Sequence, residues 1–248
     1  MPLQQEVGAG GPSMDVSHHY EERGNGFPLL LLHGNGEDLG YFSNQMEAFS
    51  ASRRAIALDS RGHGKTPRGE GPLSIRRLAD DLLGFMDRLG LEKADLLGFS
   101  DGANVAMVFA MTHPERVRRL VLNGGNLDAS GIERKTQLPI EIGYRIAKFF
   151  ARWSPKARAN AEILNLMVND PDIRPGDLER IQAPTLVVAG TRDMVKEEHT
   201  RLIASRIPGA RLAFVEGDHF VARGNPAEFD RTVLEFLDGE PASKEAER

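Results

Sequence analysis

The sequence predicts an α/β protein whose central sheet is mostly parallel and has about eight strands. The chain has 248 residues, which is enough for one large domain with a sizeable core. Short apolar runs alternate with segments whose apolar residues recur at helical spacing. The runs are almost continuously apolar, as is typical of strands buried on both faces of a parallel sheet. A doubly wound sheet flanked by helices is therefore expected.

The predicted strands follow one another along most of the chain. The segment VSHHYEERG, residues 16–24, resembles an early edge strand. The buried strands are expected at 29–32, 55–58, 95–98, 120–122, 185–189 and 212–215.

Helical patterns separate these strands. The clearest covers 74–89, where Ser74 suits a helix start and Leu78, Leu82, Phe85 and Met86 share one face. Further helices are expected at about 41–49, directly after Ser100, at 197–207 and at 226–237.

The segment 126–180 has no strand pattern. Ile142, Ile146, Phe149 and Trp153 are spaced by four, three and four residues, which indicates a helix with one apolar stripe. We expect a helical cap, or lid, packed over the sheet. The predicted organisation is a flexible leader at 1–15, a core formed by 16–125 and 181–238, the cap between them, and a flexible tail at 239–248.

Composition argues against several classes of protein. The net charge is −5 and there is no long basic run, so nucleic acid is not the expected partner. The absence of cysteine excludes disulfides, cysteine-based zinc sites and a cysteine nucleophile. No apolar run approaches the ~20 residues of a bilayer span, and the remaining histidines have no persuasive metal spacing. A cytoplasmic protein without membrane contact, metal or organic cofactor is expected.

The segment GFSDG, residues 98–102, has the pattern G-x-S-x-G between a predicted strand and a predicted helix. This context is that of a nucleophile elbow, a sharp turn that exposes a serine at the carboxyl edge of the sheet. Ser100 is therefore the candidate nucleophile, although a structural serine would show the same local pattern.

The segment HGNG, residues 33–36, directly follows the strand at 29–32. Its glycines let the backbone approach a ligand closely. The backbone N–H groups of Asn35 and Asp101 are the candidate oxyanion donors. A simple strand-ending turn is the alternative, and His33 is expected to order the loop.

Two further motifs complete a catalytic set. Asp193 in GTRD and His219 in GDHF each follow a predicted strand, and the chain order is Ser, Asp, His. A serine hydroxyl needs a neighbouring base, and imidazole titrates close to neutral pH. Asp193 would hold the correct tautomer of His219. The implied chemistry is acyl transfer to water through an acyl-enzyme.

Other residues are candidates for substrate binding. Asp101 is expected to begin a helix, where a carboxylate is favourable by roughly 0.3–1 kcal/mol. The alternative is that its side chain reaches the pocket and contacts the substrate. Phe149, Phe150 and Trp153 line a pocket or simply pack together.

HGNG, DSRGHGKT (59–66), GFSDG, GTRD and GDHF occur in the order found in α/β-hydrolases, and the chain resembles that superfamily over residues 16–238. The resemblance implies a cap-bearing serine esterase acting on small carboxylic esters, with a structural role for the 59–66 block. SDG and NGGN (123–126) also resemble amino-acid-ester hydrolases of the valacyclovir hydrolase type, which implies that Asp101 selects an ammonium group. Serine at the nucleophile position argues against epoxide hydrolases and dehalogenases.

Fold and triad leave the reaction open. Lactone, thioester or carbon–carbon bond hydrolysis and cofactor-free perhydrolysis use the same residues, and a non-catalytic ligand-binding receptor is a further alternative. A small-molecule ester is the expected partner, and the protein is expected to be a monomer or a homodimer.

Overall fold

The computed structural model describes residues 15–239, and its core is a seven-stranded sheet. The strand order is β1-β3-β2-β4-β5-β6-β7. Only β1 is antiparallel to its neighbour, β3; every other pair is parallel. The strands are β1 (Tyr20–Arg23), β2 (Phe27–Leu32), β3 (Arg53–Leu58), β4 (Ala94–Phe99), β5 (Val117–Asn123), β6 (Thr185–Gly190) and β7 (Arg211–Val215).

The predicted fold class is confirmed, with one correction. The sheet has seven strands within residues 15–239, where about eight were predicted. All six predicted apolar strands are present, and five begin earlier than the apolar runs do. The early residues of β3 and β5 are charged because they lie at the amino edge, where Arg118 pairs with Asp95. Hydrophobicity therefore marks only the buried part of each strand.

Helices cover both faces of the sheet. They are α1 (Ser43–Ser50), α2 (Ile75–Arg88), α3 (Asp101–Thr112), α4 (Arg134–Phe150), α5 (Pro155–Asn169), α6 (Glu197–Arg206), α7 (Val221–Gly224) and α8 (Pro226–Asp238). Side chains of β2 alternate between the two resulting cores. Leu30 and Leu32 pack in the core that includes α2 and α3, whereas Leu29 and Leu31 pack in the core that includes α1 and α8.

The segment between β5 and β6 contains the helix pair α4 and α5, which pack against each other. We call these two helices the insertion. Its start is marked by the short turn Ala129–Gly131, and the turn Pro175–Arg180 leads from it back to the sheet. The expected leader and tail lie outside the described residues, apart from Asp15 and Gly239.

The 59–66 block forms a buried polar support at the carboxyl edge of β3. Asp59 accepts hydrogen bonds from the backbone N–H groups of Leu39 and Lys65, both at 2.8 Å. The Arg61 side chain is fully buried and forms two hydrogen bonds, of 2.6 and 2.7 Å, to Asp81 on α2. The Asp59 contacts tie two loops to the end of β3, and the Arg61 contacts tie the block to α2, which agrees with the expected structural role. No helix within residues 15–239 has the length and apolar character needed to cross a membrane.

Candidate active site

Ser100 occupies a strained turn between β4 and α3. Its backbone has φ 53° and ψ −120°, a conformation that costs a non-glycine residue of order 1–3 kcal/mol. Glycines flank the serine because neighbouring backbone segments lie so close to positions 98 and 102 that a side chain would not fit. A Cβ on Gly98 would lie 2.2 Å from the carbonyl oxygen of Gly102, and one on Gly102 would lie 2.0 Å from that of Leu32. The turn is therefore the sharp elbow that the sequence predicts.

The loop after β2 packs directly against this elbow. A Cβ on Gly34 would lie 3.1 Å from the Cβ of Ser100. Asp101 is the first residue of α3, so its backbone N–H has no acceptor within the helix. The neighbouring Asn35 belongs to the same loop as Gly34. Both predicted oxyanion donors thus belong to segments that meet at Ser100.

His219 and Asp193 form a close buried pair after β7 and β6. The distance between His219 Nδ1 and Asp193 Oδ1 is 2.7 Å, and both side chains are at least 95% buried. Because an ionised carboxylate can only accept, Nδ1 is the ring nitrogen that donates this bond, and the neutral tautomer with this contact has its lone pair on Nε2. His219 Nε2 is buried and has no hydrogen-bond partner within residues 15–239. The histidine is therefore oriented as a proton acceptor.

The carboxyl end of β5 makes room for this histidine. Gly124 has φ +61°, and a Cβ there would lie 2.8 Å from Cε1 of His219. The ring of Phe99, next to the serine, lies 4.8 Å from the ring of His219, centroid to centroid. The structure thus brings Ser100, Asp193 and His219 to one edge of the sheet.

The side chain of Asp101 points into a network of amides. Its Oδ2 accepts a hydrogen bond of 2.8 Å from Asn35 Nδ2, and its Oδ1 accepts one of 3.1 Å from Asn104 Nδ2. Burial raises the pKa of Asp101 to about 6, while both amide hydrogen bonds oppose that rise. Both carboxylate oxygens are thus engaged by protein donors.

The three aromatic candidates lie at the outer end of α4 and just beyond it. Phe149, Phe150 and Trp153 are 55%, 51% and 63% exposed, and they pack edge-on or tilted against one another. A groove of about 870 Å³ runs between α4 and α5, with Phe150 and Ile163 among its lining residues. Phe149 and Trp153 are outside that lining. A substrate-binding role for the three aromatics stays a prediction.

The sequence interpretation assigned no role to three residues of this site, two of which belong to the NGGN segment. Asn104 and Asn126 are buried and connect Asp101 to the start of the insertion, and Gly124 accommodates His219. Asn104 had a signal, since apart from Asp101 it is the one polar residue in the first two turns of α3. Within residues 15–239, no group of three potential metal ligands is arranged to hold an ion.

Comparisons with known proteins identify the family to which the fold belongs. A family model described as alpha/beta hydrolase fold matches residues 28–166, more than half of the chain. The chain belongs to the α/β-hydrolase fold family. The match includes the β2 loop, the elbow and most of the insertion.

Full-length relatives of this α/β-hydrolase are named as hydrolases. A protein that bears the name carbamate hydrolase RutD, from Azorhizobium caulinodans, is 30% identical over 90% of this chain and 95% of its own length. A 2-hydroxymuconate semialdehyde hydrolase from Pseudomonas putida is 30% identical over 87% of this chain and 89% of its own. The crystal structure of an enol-lactonase from Burkholderia xenovorans superposes with a TM-score of 0.77 at 25% identity, covering 90% of this chain and 97% of that one. The protein is therefore a hydrolase of this fold.

Proposed function

We propose that the protein is a serine hydrolase that cleaves small carboxylic esters through an acyl-enzyme. The observation that carries the proposal is the buried Asp193–His219 pair, whose Nε2 is unpartnered within residues 15–239 at the sheet edge that also bears the strained Ser100. A nucleophile needs a base, and the base needs a group that orients it. These three residues supply those three roles.

In the proposed reaction, Ser100 Oγ attacks the ester carbonyl carbon while His219 Nε2 takes the hydroxyl proton. The backbone N–H groups of Asn35 and Asp101 stabilise the negative charge that develops on the carbonyl oxygen; one such donor is worth roughly 100- to 1,000-fold in rate. The bond to the alcohol then breaks, and the alcohol leaves with the proton from His219. Water repeats the sequence on the acyl-enzyme and releases the carboxylic acid.

The proposed substrate is a small ester whose apolar part lies in the groove of the insertion. Apolar side chains form most of the groove lining, including Ile146, Ala147 and Ile163. Ile163 also accepts a hydrogen bond of 2.9 Å from the Asn35 side chain, so the groove adjoins the proposed oxyanion loop. An apolar acyl or alcohol group is the ligand that such a lining favours.

The main alternative is a cyclic or carbon–carbon substrate cleaved by the same residues. The enol-lactonase and the semialdehyde hydrolase named above motivate it, since each is similar to this chain over most of its length. A lactone follows the same acyl-enzyme steps, except that the alcohol stays attached to the acyl group.

Hydrolysis of p-nitrophenyl acetate and butyrate by the wild type and by Ser100→Ala tests the proposal. We expect loss of at least about 1,000-fold in kcat/KM, with unchanged thermal unfolding. A fluorophosphonate probe should label the wild type at Ser100 only. Full activity of Ser100→Ala would refute the role of Ser100, and absence of labelling would favour a non-catalytic receptor. A panel of esters, lactones and vinylogous diketones then compares the substrate classes.

A further inference from the structure

Asp101 lies at the centre of a buried chain of amides that joins the insertion to the elbow. Asn35 Nδ2 donates both to Asp101 Oδ2 and to the carbonyl of Ile163 on α5. On the other side, Asn104 Nδ2 donates both to Asp101 Oδ1 and to Asn126 Oδ1, both at 3.1 Å. The chain of amides therefore contacts the insertion at the middle of α5, and at its other end it contacts Asn126, which lies between β5 and the insertion.

Backbone groups fix the orientation of both neighbouring amides. The Ile163 carbonyl can only accept a hydrogen bond, so the Asn35 side chain must present its NH2 group there. The backbone N–H of Asn126 donates to Asn104 Oδ1 at 2.9 Å and can only donate, so the NH2 group of Asn104 must face Asp101. Asp101 thus faces two NH2 groups, those of Asn35 and Asn104, and neither amide can flip to present its oxygen instead.

Because both donors are fixed, both terminal atoms of the side chain at position 101 must accept a hydrogen bond. An ionised carboxylate meets this requirement because both of its oxygens accept. An asparagine of the same shape does not, because its NH2 group would face the NH2 group of Asn35 or of Asn104. Asp101 and Asn104 are buried, so water cannot replace a partner lost between them.

We propose that Asp101 is a positioning residue: its carboxylate, through the Asn35 side chain, holds the oxyanion loop against the elbow and ties that loop to α5. The inference rests on the proposed function for its catalytic consequence. It differs from the idea that Asp101 binds a substrate ammonium group, because the partners of the carboxylate are protein amides. The backbone N–H of residue 101 is unchanged in every variant used below.

The central variant is Asp101→Asn, assayed on an amino-acid p-nitrophenyl ester and on its des-amino analogue. We expect kcat/KM to fall about 10- to 100-fold on both esters, mostly in kcat, because misplacement by ~1 Å costs about 100-fold. A fall confined to the amino ester would overturn the proposal in favour of direct substrate contact. Unchanged kinetics on both esters would overturn it as well.

Two further variants separate the hydrogen-bond pattern from the charge. Asp101→Asn combined with Asn104→Asp exchanges the amide and the carboxylate. The new amide at 101 then accepts from Asn35 and donates to position 104, while the new carboxylate faces Asn126 Oδ1 and loses the hydrogen bond to it. We expect this double variant to recover at least about tenfold of the lost kcat, since the Asn35 contact is restored. Asp170→Asn is the matched control, because it removes a charge that raises the pKa of Asp101 without touching either amide donor. We expect Asp170→Asn to stay within about threefold of the wild type.

A readout that does not need turnover keeps this test separate from the proposed function. The side-chain NH2 protons of Asn35, followed by NMR, should exchange slowly with solvent in the wild type and in the double variant. They should exchange at least about tenfold faster in Asp101→Asn. Equal protection in all three proteins would refute the positioning role even if the wild type cleaved no ester. If the wild type showed no Ser100-dependent activity but the expected exchange pattern was observed, only the proposed function would be refuted.

Discussion

Gly102 provides the most direct test of how the elbow depends on close backbone packing. It is the second residue of α3, and a Cβ there would lie 2.0 Å from the carbonyl oxygen of Leu32 and 2.6 Å from that of His33. Real Cβ atoms essentially never approach another heavy atom within 3.0 Å. The substitution Gly102→Ala therefore forces the start of α3 and the end of β2 apart by about 1 Å, as the contact distances require.

The sheet determines which side moves. Leu32 pairs with β3 on one side and β4 on the other, so β2 is held in place and the start of α3 must shift. Overpacking of this kind costs roughly 3 kcal/mol, the upper part of the usual range. For a domain of this size, that loss lowers Tm by about 6–12 °C. The same shift moves the N–H of Asp101 relative to Asn35, and kcat/KM should fall about 100-fold.

Thermal unfolding and ester hydrolysis of Gly102→Ala test both consequences. Gly176→Ala is the matched control, since a Cβ at this exposed glycine would meet no atom within 4 Å. We expect the control to keep its Tm within about 1 °C and its activity within about twofold. The reasoning would be refuted if Gly102→Ala behaved like the control in both measurements.

Two predictions concern stability. Burial lowers the pKa of His18 to about 4, so the folded state binds fewer protons than the unfolded chain between pH 6.5 and pH 4. Stability is then lost as pH falls through that window, by about 2 kcal/mol at pH 5. Urea unfolding at pH 8 and pH 5 should show a smaller difference for His18→Gln, and an unchanged difference would contradict the assignment. Asp81→Asn removes one of the two carboxylates that bind the buried Arg61 guanidinium and leaves Asp15 as the other, so we expect a loss of about 1.5–3 kcal/mol in urea unfolding. A loss below about 1 kcal/mol would show that the pair contributes little.

The strands and the order of the motifs could be predicted because both depend on local sequence. Each buried strand is a nearly continuous apolar run, and the residues after its carboxyl end are those that parallel strands bring to one edge. The charged starts of β3 and β5 could not be read this way. Their burial depends on partners such as Asp95, which lies on another strand.

Some residues of the candidate site could likewise be predicted from local motifs, and others could not. Ser100, Asp193 and His219 are identified by small motifs, and the structure places Asp193 and His219 in direct contact. The roles of Asn104, Asn126 and Gly124 became visible only in three dimensions. Asn104 and Asn126 are hydrogen-bonded to each other, and Gly124 leaves the space that the His219 ring occupies.

The sequence by itself determined the α/β class, the strand-ending motifs and the serine at the elbow, since each follows from apolar periodicity or from residues adjacent in the chain. The tertiary structure alone decided which way the Asp101 side chain points. Its partner Asn35 lies 66 residues before it in the chain, and the Ile163 carbonyl that orients Asn35 lies 128 residues after Asn35. A hydrogen-bond donor so distant leaves no periodic signal in the sequence, because its position is set by the packing of whole elements. The carboxylate of Asp101 therefore faces the amides of Asn35 and Asn104, and the backbone N–H of Asp101 takes no part in this network.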